Sequence, residues 1–496
     1  MSGASRCPML GPTGLMRRIP SLRVISTRLV ACLSGRLDME LGLDLDDGGR
    51  QARRRRGQEC SGGHEMLPKG YRALMDDHDP SPGTVAFTGA RLVTLAAGDR
   101  EPRRGSRLSE LSVIDRGWIL VRDGIIADLG EGDAPPLPES VEIVHAEGRV
   151  VMPALVDCHT HACFAGDRSD EFEARLAGAD YLEILAAGGG IMSTVRSIRE
   201  APEELLVDSL LGRLERMARL GSGTVEVKSG YGLDPGSELK MLRAITTAAE
   251  RTPQIVVPTF LGAHALDADA PDPALAVERI IDEALPEAAS SFPGIACDAY
   301  CEEGAWTLAD CRRLFERAAE LGCPIRVHTD QFNSLGMTRL AVEMGARSVD
   351  HLEASTPEDL RAVAASATIA VLLPVSGFTL DDRYADGREL VDLGAAVALA
   401  SNFNPGSAPS PSVPFAIALA CRKCGLRPAE AITAATWNAA CVLGLQDEIG
   451  SLEVGKRADL ILLDTGDERD LGLEVAGPGP DRVMIAGRWC PGGSRA

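Results

Sequence analysis

The sequence predicts an α/β fold: a (β/α)8 barrel of the TIM type carrying a small composite β-sandwich built from the N- and C-terminal parts of the folded body. Three observations predict it. Between residues 150 and 440, eight apolar strand-like runs alternate with helical patterns, the signature of parallel βα units. Shorter strand-like runs, punctuated by Gly and Asp turns, precede that region at 83–149 and return at 441–496. Of only eight histidines in 496 residues, five fall at the C-terminal ends of predicted barrel strands. In such barrels those ends ring the active-site mouth.

The elements follow in order. Residues 1–75 stand apart. Before Asp38 there are six arginines, several serines and no acid, and Arg53 opens a run of four arginines. With no apolar periodicity this segment is expected to be disordered. Its acid-poor, Arg- and Ser-rich start is also like a mitochondrial transit peptide; the alternative is a start codon placed too far upstream, with Met66 or Met75 the true beginning. Strand-like runs then appear at 84–95, 118–121, 124–129 and 141–144, and again within 450–464 and 482–489. The eight barrel runs are 150–157, 223–229, 255–264, 295–301, 324–329, 347–352, 368–375 and 395–402, with helical patterns such as 203–220, 238–250, 307–321 and 357–365 between them.

A net charge of −21 argues against nucleic acid or an anionic membrane surface as partner, and no apolar run approaches the ~20 residues that span a bilayer. A small-molecule substrate and a homodimer are expected instead. The 13 cysteines are odd in number and follow no regular framework, so they read as reduced thiols of an intracellular, cytoplasmic protein. Cys421 and Cys424 form a lone CxxC without a second pair, which does not make a zinc site.

The chemistry converges on the histidines. His159 and His161 end the first barrel run, and residues i and i+2 of a strand share a face. His264, His328 and His351 end the third, fifth and sixth. His159, His161 and His328 form the natural ligand set for one ion per subunit. Neutral imidazole suits zinc or iron, and three protein ligands with an open position mark a catalytic site. Such an ion can bring the pKa of its water to about 7, which implies hydrolysis at a carbon bound to nitrogen or oxygen.

These residues resemble the amidohydrolase superfamily of metal-dependent hydrolases: His-x-His on the first strand, single histidines on the fifth and sixth, and a composite β domain. Within it the chain resembles the imidazolonepropionases of histidine degradation, through residues 164–172, 188–194, 228–232, 262–264, 328–330 and 404–407. The resemblance covers roughly residues 84–487. It implies ring opening of the cyclic amide 4-imidazolone-5-propanoate to N-formimidoyl-L-glutamate. It also implies substrate contacts from Arg168, Tyr231, His264, Asn404, Gly406 and Ser407. A guanidinium suits the propionate, although Arg168 could instead pair with Asp167 or Asp170. Tyr231 could simply pack in its Gly-bounded turn, and residues 404–407 could simply be a turn.

Two positions depart from the family. Asn402 stands where the family has a metal-binding Asp at the end of the eighth strand, and Gln331 where it often has Glu. An amide is no general base near neutral pH. The proton would then pass to another group, with His351 foremost and Asp330, Glu302 and Glu303 behind it; His264 and Gln331 complete the catalytic candidates. The alternatives are action on a related cyclic amide or amidine ring, or a catalytically impaired homologue that only binds ligand.

Overall fold

The computed structural model describes residues 83–96, 98–178, 189–477 and 479–491. Residues 1–75, and Gly188 of the family-like segments, lie outside these described residues.

The N-terminal strands are β1 (Val85–Val93), β2 (Val113–Arg122), β3 (Ile125–Glu131), β4 (Glu142–His145) and β5 (Val150–Pro153). The barrel strands are β6 (Leu155–Asp157), β7 (Ser222–Lys228), β8 (Ile255–Ala263), β9 (Ala296–Cys301), β10 (Arg326–Thr329), β11 (Ser348–His351), β12 (Ile369–Leu372) and β13 (Ala396–Leu399). The chain ends with β14 (Leu460–Leu462), β15 (Arg482–Ile485) and β16 (Arg488–Trp489).

Strands β6 to β13 pair in sequence order, all parallel. Each parallel crossover carries a helix, as parallel neighbours require. The four helices singled out in the sequence form at Glu203–Arg219, Pro235–Ala249, Leu308–Glu320 and Pro357–Ala364. Their starts are fixed by local chemistry. Asp234 and Thr307 accept from Ser237 N and Asp310 N, and Thr356 makes a capping box with Asp359.

The seam between the last and first strands is closed just beyond them. Asn402 N donates to His159 O at 3.1 Å, His161 N to Phe403 O at 2.9 Å, and Ser401 to the Asp157 carboxylate through both N and Oγ.

The composite β domain is one mixed sheet in the order β16-β15-β14-β5-β1-β2-β3, with β4 also on β1. Phe87, Leu92, Ile119, Val121, Leu460 and Met484 meet in its core. The predicted first barrel run, 150–157, is in fact two strands: Val150–Pro153 pairs with β1 and β14 in the small sheet, and only Leu155–Asp157 joins the barrel. Both halves are fully buried, so one unbroken apolar run serves two sheets. No helix among the described residues is long and apolar enough to cross a membrane.

Candidate active site

The three histidines that the sequence set as ligands come together as a group that could hold a metal ion. Donor nitrogens of His159, His161 and His328 lie within 4.8 Å of one another, and all three side chains are buried. The outer nitrogens of His159 and His328 are committed. His159 Nδ1 donates to Asp350 Oδ2 at 2.6 Å, and His328 Nδ1 to Asp298 Oδ1 at 3.0 Å. This fixes both tautomers and turns Nε2 inward, the usual support of a metal-ligating imidazole. His159 Nε2 is then buried with no partner, while the Nε2 atoms of His328 and His161 face each other at 3.1 Å. Three buried imidazoles with donor nitrogens this close, one of them bare, suit a cation, so the residues fit a metal ion.

Burial pushes the His159 and His161 rings well below the ordinary 6.5, with Lys228 and His264 nearby adding to it. Burial also lowers His328, against the pull of Asp298. The neutral imidazole is the form that binds metal.

Beneath the histidines lies a layer of buried charge. Lys228 Nζ sits 2.6 Å from Glu226 and 2.8 Å from Asp298. Arg326 bridges Glu226 at 3.1 Å and Asp350 at 2.8 Å, and bonds Ser348 Oγ through Nε. Burial raises the Asp298 carboxyl, but His328 and Lys228 outweigh it and hold it well below the carboxylate range. Buried charges persist only when paired this completely. These residues recur at i, i+2 on four strands: Glu226 and Lys228, Asp298 and Tyr300, Arg326 and His328, Ser348 and Asp350. They were not singled out in the sequence; polar alternation inside strands read as apolar is the signal that could have found them.

Around the cluster stand the other rings. His264 stacks on His161 with centroids 4.8 Å apart, and its Nδ1 donates to Gly230 O at 2.9 Å. Burial, then His328, brings His264 down to about 3. Tyr231 lies 5.9 Å from the His161 ring and 5.3 Å from His264. Its turn is held by Glu238, a residue the sequence did not single out, whose buried carboxylate accepts from Gly230, Gly232 and Leu233 N. Tyr300, also not anticipated, faces His264 and His328 and donates to Gln331 Oε1 at 3.0 Å.

His351 lies 5.6 Å from the His328 ring and 6.1 Å from His159. Its Nδ1 meets Glu353 Oε1 at 3.1 Å. Glu353, Gln331 and Ser376 line a small open cleft together with Phe332 and Leu380. Ser376 Oγ also accepts from Asn402 Nδ2 at 2.7 Å, which leaves Asn402 Oδ1 buried without a partner. Asn402 therefore offers a neutral oxygen beside the histidines, from a left-handed backbone at φ 54°.

Arg168 pairs with neither Asp167 nor Asp170. Its Nε and Nη2 both reach Glu171 at 2.6 Å, and Glu171 also accepts from Gly190 N. Nη1 is turned to Gly406, where an added Cβ would meet it at 3.0 Å. Asn404 shapes the loop opposite: its Oδ1 accepts from Gly406 N and Ser407 N, and its Nδ2 donates to Asn402 O and Ser407 Oγ.

Asp330 follows β10 with its carboxylate already engaged. Hydroxyls of Thr329, Thr338 and Ser355 fill its carboxylate. Glu302 caps the next turn through Phe332 N and Asn333, and Glu303 is exposed. The cysteines among the described residues are free thiols, Cys421 and Cys424 included.

Comparison with known proteins agrees with this geometry. A model of the amidohydrolase family matches residues 150–490. The imidazolonepropionase of Symbiobacterium thermophilum is 46% identical over 393 residues, covering 77% of this chain and 92% of that protein. The imidazolonepropionase of Rubrobacter xylanophilus is 46% identical over 397 residues, covering 79% and 95%. Among solved structures, E. coli guanine deaminase superposes with a TM-score of 0.62 at 14% identity, over 83% of this chain and 99% of that one. An adenosine deaminase from Xanthomonas campestris gives 0.61 at 17% identity, over 83% and 93%. The structural likenesses speak for the fold alone.

Proposed function

The chain belongs to the imidazolonepropionase family of the amidohydrolases, and from that premise we propose that it hydrolyses the cyclic amide 4-imidazolone-5-propanoate to N-formimidoyl-L-glutamate. The observation that carries the proposal is the buried convergence of His159, His161 and His328, whose donor nitrogens lie within 4.8 Å of one another. They would hold one zinc or iron ion, with Asn402 Oδ1 beside them. Such an ion supplies a Lewis acid that makes water acidic near neutral pH and polarises a carbonyl.

The rest is the work of the side chains. Arg168 Nη1 and Ser407 Oγ hold the propionate, with Glu171 fixing the guanidinium plane. Tyr231 and His264 flank the ring, and the bare Nε2 of His264 reaches its polar edge. His351 takes a proton from the attacking water and returns one to the departing ring nitrogen. One water is thereby added: hydroxyl to the carbonyl carbon, proton to nitrogen, as the ring C–N bond breaks.

The test is loss of the ring's ultraviolet absorbance with freshly made substrate, using protein of known metal content. Turnover that disappears on chelation and returns with zinc or iron is expected. No turnover by metal-loaded protein would overturn the proposal. A second reading rests on Gln331: its oxygen is occupied by Tyr300, so its NH2 faces a ligand as a donor. A related cyclic amide or amidine ring presenting an acceptor there would be the substrate, and a panel of such rings separates the two.

A further inference from the structure

The proposed function leaves open which carboxylate serves the proton, since positions 331 and 402 both carry amides. Nearly every acid near the mouth is already committed. Asp298 is held by His328 and Lys228, Asp350 by His159 and Arg326, and Glu226 by Lys228, Arg326 and Thr160 N. Asp330 is filled by hydroxyls, Glu302 by backbone amides, and Glu171 by Arg168. Asp381, the other acid lining the cleft, is exposed and bonded to Arg383 at 2.6 Å.

Glu353 is different. One oxygen accepts from His351 Nδ1 at 3.1 Å, while Oε2 is buried with no partner. A buried carboxylate oxygen left unpaired is costly, and persists where a ligand or water is to be met. The backbone is bent to make this pair: His351 and Leu352 are both left-handed, at φ 89° and 76°. Two consecutive non-glycine residues in that region are strained, and strain of this kind gathers at working sites.

Resting on the reaction proposed above, we propose that Glu353 is the positioning residue of that reaction and the outlet for its proton. Its Oε1 holds the Nδ1–H tautomer of His351, so that Nε2 is the atom that takes the proton from water. Its Oε2 opens a path from the site into the cleft shared with Gln331 and Ser376. The arrangement repeats the logic of a carboxylate orienting a catalytic histidine, with the carboxylate two residues along the same chain. It gives this chain a proton route that needs no acid at 331 or 402.

The experiment compares Glu353→Gln with wild type in the metal-loaded full chain. The expected result is a fall in kcat of about 100-fold, a KM within about twofold and an unchanged metal content. In Glu353→Ala, added formate is expected to restore kcat by about tenfold or more, as the small carboxylate fills the vacated place. The 15N shifts of His351 should report the Nδ1–H form in wild type and its loss in Glu353→Ala. A kcat for Glu353→Gln within about threefold of wild type would overturn the inference. So would loss of metal in that variant, or an unchanged tautomer in Glu353→Ala with no response to formate, either of which makes Glu353 a packing residue. If wild type itself does not turn over the imidazolone, the proposed function fails and this inference fails with it.

Discussion

At the scale of single residues, the donors define the site. Replacing His328 by Ala removes a ligand and leaves Asp298 and Lys228 facing a void. Metal content by elemental analysis is expected to fall from one ion per chain to near zero, with turnover lost; full metal content would refute the assignment. Arg168→Ala deletes a charge-assisted contact worth about 1.5–3 kcal/mol, so KM should rise about 10- to 100-fold with kcat little changed. An unchanged KM would take Arg168 out of the site. The buried rings also set a pH dependence. His159, His161, His328 and His264 are all lowered in the folded protein, first by burial. Unfolded, each binds a proton near 6.5. Below that pH the unfolded chain therefore holds more protons, and stability falls with pH. Asp157, raised to about 7 by burial, acts oppositely between about 7 and 3.8, and Glu238, Asp330 and Asp459, also raised by burial, act in the same sense, but the four imidazoles change charge across the whole interval from pH 7 to 5. The denaturation midpoint of chelator-treated protein is expected to be lower at pH 5 than at pH 7; an equal or higher value would contradict this. The histidines were legible in the sequence because they are scarce and punctuate the strand ends. Glu353 and Tyr300 were not, because an acid after a strand and a tyrosine within one have many ordinary uses.

At the scale of elements, the turn after β7 shows how a local rule serves the site. Glu238 opens the helix that follows and reaches back to three amide hydrogens of the turn bearing Tyr231. A Cβ on Gly232 would meet Glu238 N at 2.5 Å and Ser237 C at 2.6 Å, so no larger residue fits there without moving the turn. Glu238→Ala would leave those amides buried and unpaired. A loss of about 3 kcal/mol or more in chemical denaturation is expected from the desolvation of several donors. KM should rise as Tyr231 is released. Unchanged stability would mean that water replaces the carboxylate at no cost. The strand count, order and ends of the barrel were readable to within a few residues. The division of 150–157 between two sheets was not, since a strand buried on both faces has the same apolar composition in either. The paired charges inside β7, β9, β10 and β11 were visible only as polar alternation.

At the scale of the whole molecule, three buried carboxylates (Glu226, Asp298, Asp350) face two buried cations (Lys228, Arg326) beneath neutral imidazoles. That layer carries an excess of negative charge, which a bound cation offsets. A ligand held by the folded state alone stabilises it by about 4 kcal/mol at a thousandfold excess over Kd. Chelation is therefore expected to lower Tm by about 5 °C, read by calorimetry with and without added zinc or iron. No shift would mean that the ion contributes nothing to the fold. The seam joining the ends of the barrel has a consequence in time. Asn402 N bonds His159 O, and Ser401 bonds Asp157 across 244 positions of sequence. During synthesis the first two histidines emerge long before His328, and Asn402 later still. A nascent chain thus lacks one of the three donor imidazoles until its fifth barrel strand, β10, has left the ribosome. All three imidazoles are therefore made before the seam at Ser401 and Asn402 can close, and closure of the barrel is the later of the two events.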